Sequence, residues 1–228
     1  MVVMSRIAVV GGNGQIARAL HPLLVAAGHT PVALVRTQSY APDLEALGAE
    51  VRILDIENST TAHYAEAFAG ADAVVFAAGG GPDGKIERKR TVDLGGSLGS
   101  IAGAREAGIR RFVQISAIGV DEPVPDDAEP VWKAYVAAKR DADKAVRSSG
   151  LDWTIIRPGA LTDDPATGRV TLAPQVERGE VSRADVATVV AASLDDAGTI
   201  GHQWELVGGS TPTAEAIANA VAAGRPAL

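Results

Sequence analysis

An α/β fold with one doubly wound parallel sheet is predicted by three observations. Short apolar runs alternate with helical segments along almost the whole chain. The first of those runs, Ile7-Ala8-Val9-Val10, collapses into Gly11-Gly12-Asn13-Gly14 and reopens as a helix. No linker, low-complexity stretch or internal repeat divides the 228 residues, so a single domain over 1–228 is expected, with a small substrate-side extension at its C-terminal end. Such alternation gives parallel strands joined by right-handed helical crossovers, with helices on both faces of the sheet.

Taken in order, strands are expected at residues 6–10, 31–36, 50–55, 73–77, 111–116, 152–157 and 203–207. Helices are expected at 15–27, 42–47, 61–68, 88–107, 132–149, 183–194 and 213–222. Strand 6–10 is apolar throughout, as suits a strand buried on both faces. Helix 15–27 carries Ile16, Ala19, Leu20, Leu23 and Leu24 at helical spacing and stops at Gly28. The expected strand order begins 3-2-1-4-5-6, the Rossmann arrangement. In it a ligand binds outside the carboxyl ends of the strands, where the order reverses.

Those strand ends carry the functional reading. At the first, Gly11 permits a tight turn, Gly14 lets a pyrophosphate approach the backbone, and Ala17 allows close packing of helix on strand. The amides that open the helix, beside Asn13, Gln15 and Ile16, face the phosphates. Strand two ends at Arg36, where a guanidinium matches a 2′-phosphate and favours NADP over NAD. Asp55 and Ile56 end strand three, placed either to flank an adenine or to cap a turn. Ala77, Ala78 and Gly79 clear side chains from the end of strand four.

Strand five ends at Ser116, followed by an acidic loop, 121–130, read as a substrate rim or lid. Tyr135 and Lys139 lie four residues apart and so share one helix face. A lysine near a tyrosine stabilises phenolate, and a serine can hold a carbonyl, which suits proton transfer coupled to hydride transfer. Strand six ends at Arg157-Pro158-Gly159, a turn able to lie against a nicotinamide, with Arg157 the partner of a nearby carboxylate. Ser182-Arg183-Ala184-Asp185 reads as a helix N-cap with its salt partners.

Composition narrows the field. The net charge is −7, which disfavours attraction to nucleic acid or an anionic membrane. The basic run Lys85 to Arg90 contains Glu87 and reads as a solvated helix start. The chain has no cysteine, which excludes disulfides, thiolate zinc sites and a cysteine nucleophile. His21, His29, His63 and His202 have no metal-ligand spacing, so no metal is expected. With no leader pattern and no apolar run of membrane-spanning length, the chain reads as cytoplasmic.

In this order and spacing, Gly11-Gly12-Asn13-Gly14, Arg36, Val113-Gln114-Ile115-Ser116, Tyr135-x-x-x-Lys139, Thr154 to Gly159 and Ser182 to Ala187 resemble the short-chain dehydrogenase/reductase superfamily. The resemblance covers nearly the whole chain and is to its compact atypical members. These are NAD(P)H-binding proteins of the biliverdin reductase B and NmrA-like type, described as NADH-flavin reductases or sugar-epimerase-like proteins. It implies NAD(P) bound at the first turn and at Arg36, with Pro158 and Leu161 near the nicotinamide, and Ser116, Tyr135 and Lys139 in the catalytic positions. Lys139 would also hold the nicotinamide ribose. Asp93 departs from the pattern, standing where many relatives place a proton-relay asparagine. The segment after Pro158 is short for a substrate as large as a nucleotide sugar.

The leading expectation is an NADP-dependent oxidoreductase acting on a small carbonyl, quinone or flavin, with NAD as the second cofactor candidate. Two others stand beside it: a non-catalytic NmrA-like regulator that reads NAD(P), and an NAD-dependent sugar epimerase or dehydratase. The expected state is monomer or homodimer.

Overall fold

The computed structural model describes residues 5–81 and 85–224. Its main sheet has nine strands in the order β11-β8-β10-β6-β5-β4-β1-β2-β3. Seven are parallel: β1 (Arg6–Val10), β2 (Thr30–Val35), β3 (Glu50–Ile53), β4 (Ala73–Phe76), β5 (Arg111–Ile115), β6 (Asp152–Pro158) and β10 (His202–Gly208). The predicted run 3-2-1-4-5-6 is therefore present, and β10 extends it. The order reverses between β1 and β4, so the carboxyl ends of these two strands open one crevice.

Strand alternation sorts the core into two layers. Ile7 and Val9 face α1 (Gln15–Ala26), α7 (Arg183–Asp195) and α8 (Thr213–Ala222), packing with Leu20, Leu24, Val186, Val190 and Ile217. Ala8 and Val10 face the other way, toward Tyr64 of α3 (Thr61–Ala67), Ile101 and Ala104 of α5 (Ser97–Glu106), and Val146 of α6 (Pro130–Arg147). Alpha-helices α3 and α5 meet closely because Gly103 has no side chain: a Cβ there would lie 2.3 Å from Cβ of Tyr64.

Pro31 sits inside β2 at no cost to pairing. Thr30 donates to Ser5 of the β1 side, so the missing amide of the next residue points to β3, whose pairing begins only at Val32.

Four short strands were not foreseen. β8 (Arg169–Ala173) pairs antiparallel with β10 and with β11 (Thr211–Pro212), while β7 (Ala160–Thr162) and β9 (Glu180–Ser182) form a separate parallel pair. At two to five residues they are too brief for periodicity to distinguish from loop. The helix expected at 88–107 is also not uniform. It comprises α4 (Ile86–Arg88), a π-helical stretch (Lys89–Gly96) and α5. Gly95 and Gly96 end the wide turns, and a Cβ at Gly96 would crowd Ile56 and Phe76 at 3.2 and 3.3 Å. Among the described residues no helix is long and apolar enough to cross a membrane.

The N-terminus of α7 is fixed by a buried carboxylate. Ser182 caps the helix, its Oγ accepting from the Asp185 amide at 3.0 Å. Asp185 accepts in turn from the Thr167 and Gly168 amides, at 3.0 and 2.8 Å, and from the Ser182 hydroxyl at 2.9 Å. Burial pushes this carboxyl up, but the donors outweigh it and hold its pKa below the ordinary value. Its stabilising contribution is thus complete above the unfolded value near ~3.9 and is lost as pH falls through the lower folded value. Asp185→Ala should cost roughly 2–4 kcal/mol in urea unfolding at neutral pH. The difference from the parent protein should shrink as the pH drops below ~4.

Candidate functional site

The turn after β1 is shaped by contacts that allow no side chain. Gly11 has φ +77°, and a Cβ on it would lie 2.8 Å from Cα of Ala78. A Cβ on Gly12 would lie 2.7 Å from Cα of Ala33. The turn is therefore pressed between the end of β4 and the middle of β2. Gly14 donates its amide to the Gly11 carbonyl at 2.8 Å and is the N-cap of α1, with no side-chain cap and no acidic residue in the first turn. The first amides of α1 and the positive end of its dipole thus remain available to an anion.

His21, fully buried on α1, holds this turn from behind through Nε2, 2.7 Å from the Gly12 carbonyl. Burial pushes its pKa down, so the ring is neutral and Nε2 donates. Gly12 and His21 were both missed as site residues. The doubled glycine was the only signal for the first, and nothing in the sequence marked the second.

A cavity of about 250 Å³ opens beside the turn. Gly11, Asn13, Gly14, Arg36, Asp55, Ile56, Ala77, Ala78 and Gly79 all line it, as do Tyr40 and Arg88, which sequence reasoning did not select. Arg36 is exposed at the rim, at the end of β2. The Asp55 carboxylate accepts from the Glu57 amide at 3.1 Å and the Asn58 side chain at 2.8 Å, so it caps a turn while forming part of the wall.

A second cavity, about 700 Å³, shares Gly14 and Ala77 to Gly79 with the first. It brings together Gln15, Ile16, Ser116, Tyr135, Lys139 and Leu161. Pro158 and Gly159 line neither cavity. Pro158 is buried within β6 opposite Leu206, and a Cβ on Gly159 would lie 2.2 Å from the Gly179 carbonyl. The small residue is needed there for close backbone packing. The acidic loop likewise does not line the cavity. Asp121 is drawn to Arg157 at 2.6 Å, and the wall begins beyond the loop, at Val131 and Trp132.

Tyr135 and Lys139 share the inner face of α6. The ammonium lies 6.0 Å from the phenol ring centroid, 3.3 Å from Oδ1 of Asp93 and 3.3 Å from the Ile115 carbonyl. Asp93, buried on the π-helical stretch, uses its other oxygen to accept from the Gly80 amide at 2.9 Å. The sequence suggested a phenol made acidic by its lysine; the balance goes the other way. Burial pushes the Tyr135 pKa up, Lys139 pulls it back, and the Asp93 and Asp143 carboxylates push it up again, leaving it raised. Tyr135 is a neutral phenol at physiological pH.

Ser116 reaches the cavity, but its proton is directed elsewhere. Its hydroxyl donates to Oδ2 of Asp143 at 2.8 Å, where Arg157 Nε also donates at 2.8 Å. Gln114 donates to the other oxygen at 2.7 Å and accepts from Ser97 at 2.6 Å. Arg157 is thus a carboxylate partner, as its position at the end of strand six suggested.

The basic run 85–90 is only partly a solvated face. Arg90 points outward, whereas Lys89 is buried and lines the second cavity. Among the described residues no group of three or more His, Cys, Asp or Glu is placed to hold a metal ion. Gly12→Ala should disturb the turn at both neighbours, costing about 1–3 kcal/mol in thermal or urea unfolding. Unchanged stability would show that the turn has room to spare.

A protein-family model described as NAD(P)H-binding matches residues 11–197. An uncharacterized sugar epimerase of Bacillus subtilis, YhfK, is 39% identical over 213 residues, covering 93% of this chain and 98% of its own. A solved protein of Bacillus halodurans, provisionally assigned as an NAD-dependent epimerase/dehydratase, superposes with TM-score 0.88 at 38% identity, over 94% of this chain and 99% of its own. The oxidoreductase ylbE of Lactococcus lactis superposes with TM-score 0.85 at 25% identity, over 98% and 99%.

Proposed function

The chain belongs to the NAD(P)H-binding family, within the atypical short-chain dehydrogenase/reductase-like proteins, and we propose that it is an NADPH-dependent reductase of a small carbonyl, quinone or flavin. The observation that carries the reading is the juxtaposition of Tyr135, Lys139 and Ser116 in one cavity that is continuous with the glycine turn. NADPH, when bound, supplies the hydride. The uncapped start of α1 holds the pyrophosphate, and the close backbone approach at Gly11, Gly12 and Gly14 fits that group. Arg36 pairs with the 2′-phosphate at the rim of the first cavity.

In the second cavity the chemistry is proton transfer. Tyr135, kept protonated by burial and by the carboxylates behind it, is an acid and gives its proton to the acceptor oxygen. This favours reduction over oxidation. Asp93 and the Ile115 carbonyl hold the Lys139 ammonium beside the phenol, where it binds the nicotinamide ribose and restrains the charge left on Tyr135. Ser116, its proton engaged by Asp143, offers an oxygen to the cavity and positions the acceptor by contact. A small acceptor suits a cavity of about 700 Å³.

A second reading follows from the Bacillus subtilis relative, whose description is a sugar epimerase. In that case nicotinamide would be retained and regenerated within each turnover. A regulator that only reads NAD(P) would bind cofactor and turn over nothing. NADPH oxidation measured over a panel of quinones, flavins and aldehydes sets the reductase apart, since it alone consumes NADPH in proportion to product; conversion of a nucleotide sugar with no net change in nicotinamide then distinguishes the epimerase from the regulator.

Tyr135→Phe should lower kcat about 10²-fold, with NADPH affinity preserved. Equal turnover in that variant would remove Tyr135 from the acid role. Arg36→Ala should weaken NADPH binding by about tenfold in fluorescence titration while NADH binding changes by less than about twofold, since only NADPH carries the phosphate.

A further inference from the structure

We propose that the substrate of this cavity carries a carboxylate and that Lys89 binds it. The proposal rests on the reductase reading for the identity of the cavity, and on an independent imbalance of charge within it.

Lys89 is only 6% exposed, yet it lines the second cavity and not the first. Its ammonium donates to the Gly81 carbonyl and lies 5.9 Å from the Tyr135 ring centroid. Among the described residues no carboxylate pairs with it. The other cations in and behind the wall are matched. Lys139 has Asp93 at 3.3 Å, Arg183 has Asp163 at 2.7 Å, and Arg157 has both Asp143 and Asp121. Among the described residues this buried ammonium faces a carbonyl and an aromatic ring, and an anion arriving from the cavity adds the charge partner that neither supplies.

The cofactor does not account for Lys89. Its phosphates belong at the glycine turn and Arg36, and its ribose at Lys139, which Asp93 and the Ile115 carbonyl hold in place. Nor is the placement an accident of a floppy side chain. The π-helical stretch carries both Lys89 and Asp93 inward, and it packs so tightly on the loop before it that a Cβ on Gly80 would lie 3.0 Å from Oδ2 of Asp93. Beside Lys89 stands the Tyr135 ring, with the Trp132 ring 5.5 Å from it and tilted by 32°, and both line the cavity as an aromatic wall. An ammonium next to an aromatic wall fits a planar, unsaturated carbonyl compound that bears a carboxylate.

The test is calorimetric titration of benzoate and of its uncharged counterpart benzamide, with and without saturating NADPH, on the full chain. Benzoate should bind at least about tenfold more tightly than benzamide. The preference should vanish in Lys89→Met, and in Lys89→Gln if the first variant folds poorly. It should survive in Lys89→Arg and in Arg183→Met. Equal binding of the two probes, a preference that persists in Lys89→Met, or no binding of benzoate would each overturn the proposal. A protein that fails to bind NADPH contradicts the reductase reading instead, while its benzoate preference still decides the role of Lys89.

Discussion

The architecture of the site depends on two absent methyl groups. With no Cβ at Gly11 or Gly12, the chain leaving β1 can lie directly on Ala78 and Ala33, so the end of β1, the end of β4 and the middle of β2 meet within one van der Waals layer. The consequences spread outward. Because the turn is this tight, α1 begins close to the sheet with its first amides facing the crevice, and the two cavities become halves of one groove that share Gly14 and Ala77 to Gly79. Neutral His21 braces the turn from the core side, tying its carbonyl to α1 without adding a positive charge behind an anion site.

A second layer of organisation lies behind the reactive groups. Asp143 gathers Gln114, Ser116 and Arg157 around one buried carboxylate, and through Gln114 the network reaches Ser97 on α5. Three strands and helices are thereby fixed relative to Tyr135 and Lys139, which stand on the same α6 as Asp143. A buried network of this kind is worth having only when fully satisfied, since an unpaired member costs more than an apolar replacement. Its rigidity positions the phenol, and its carboxylate, Asp143, helps keep that phenol protonated.

Much of this was legible in the sequence because strand ends are set by alternation, and alternation survives without tertiary information. The parallel strands, their order, and the gathering of Arg36, Ser116, Tyr135 and Lys139 at the carboxyl side follow from it. What could not be read was the occupant of each space. Gly159 announced that a side chain must be missing, but only the fold reveals the Gly179 carbonyl that requires it. Ser116 announced a hydroxyl at a strand end, but not that Asp143, 27 residues later, would claim its proton. Lys89 looked like its charged neighbours because the eye assumes 3.6 residues per turn; wider π-helical turns sent it inward.

The short strands that periodicity could not resolve shape how the molecule meets others of its kind. At one side the sheet finishes in β3, four residues long; at the other it finishes in β11, two residues closed by Pro212. Neither margin presents a long row of unpaired amides and carbonyls, and a proline has no amide to offer. Growth of the main sheet from chain to chain is thereby blunted at both ends.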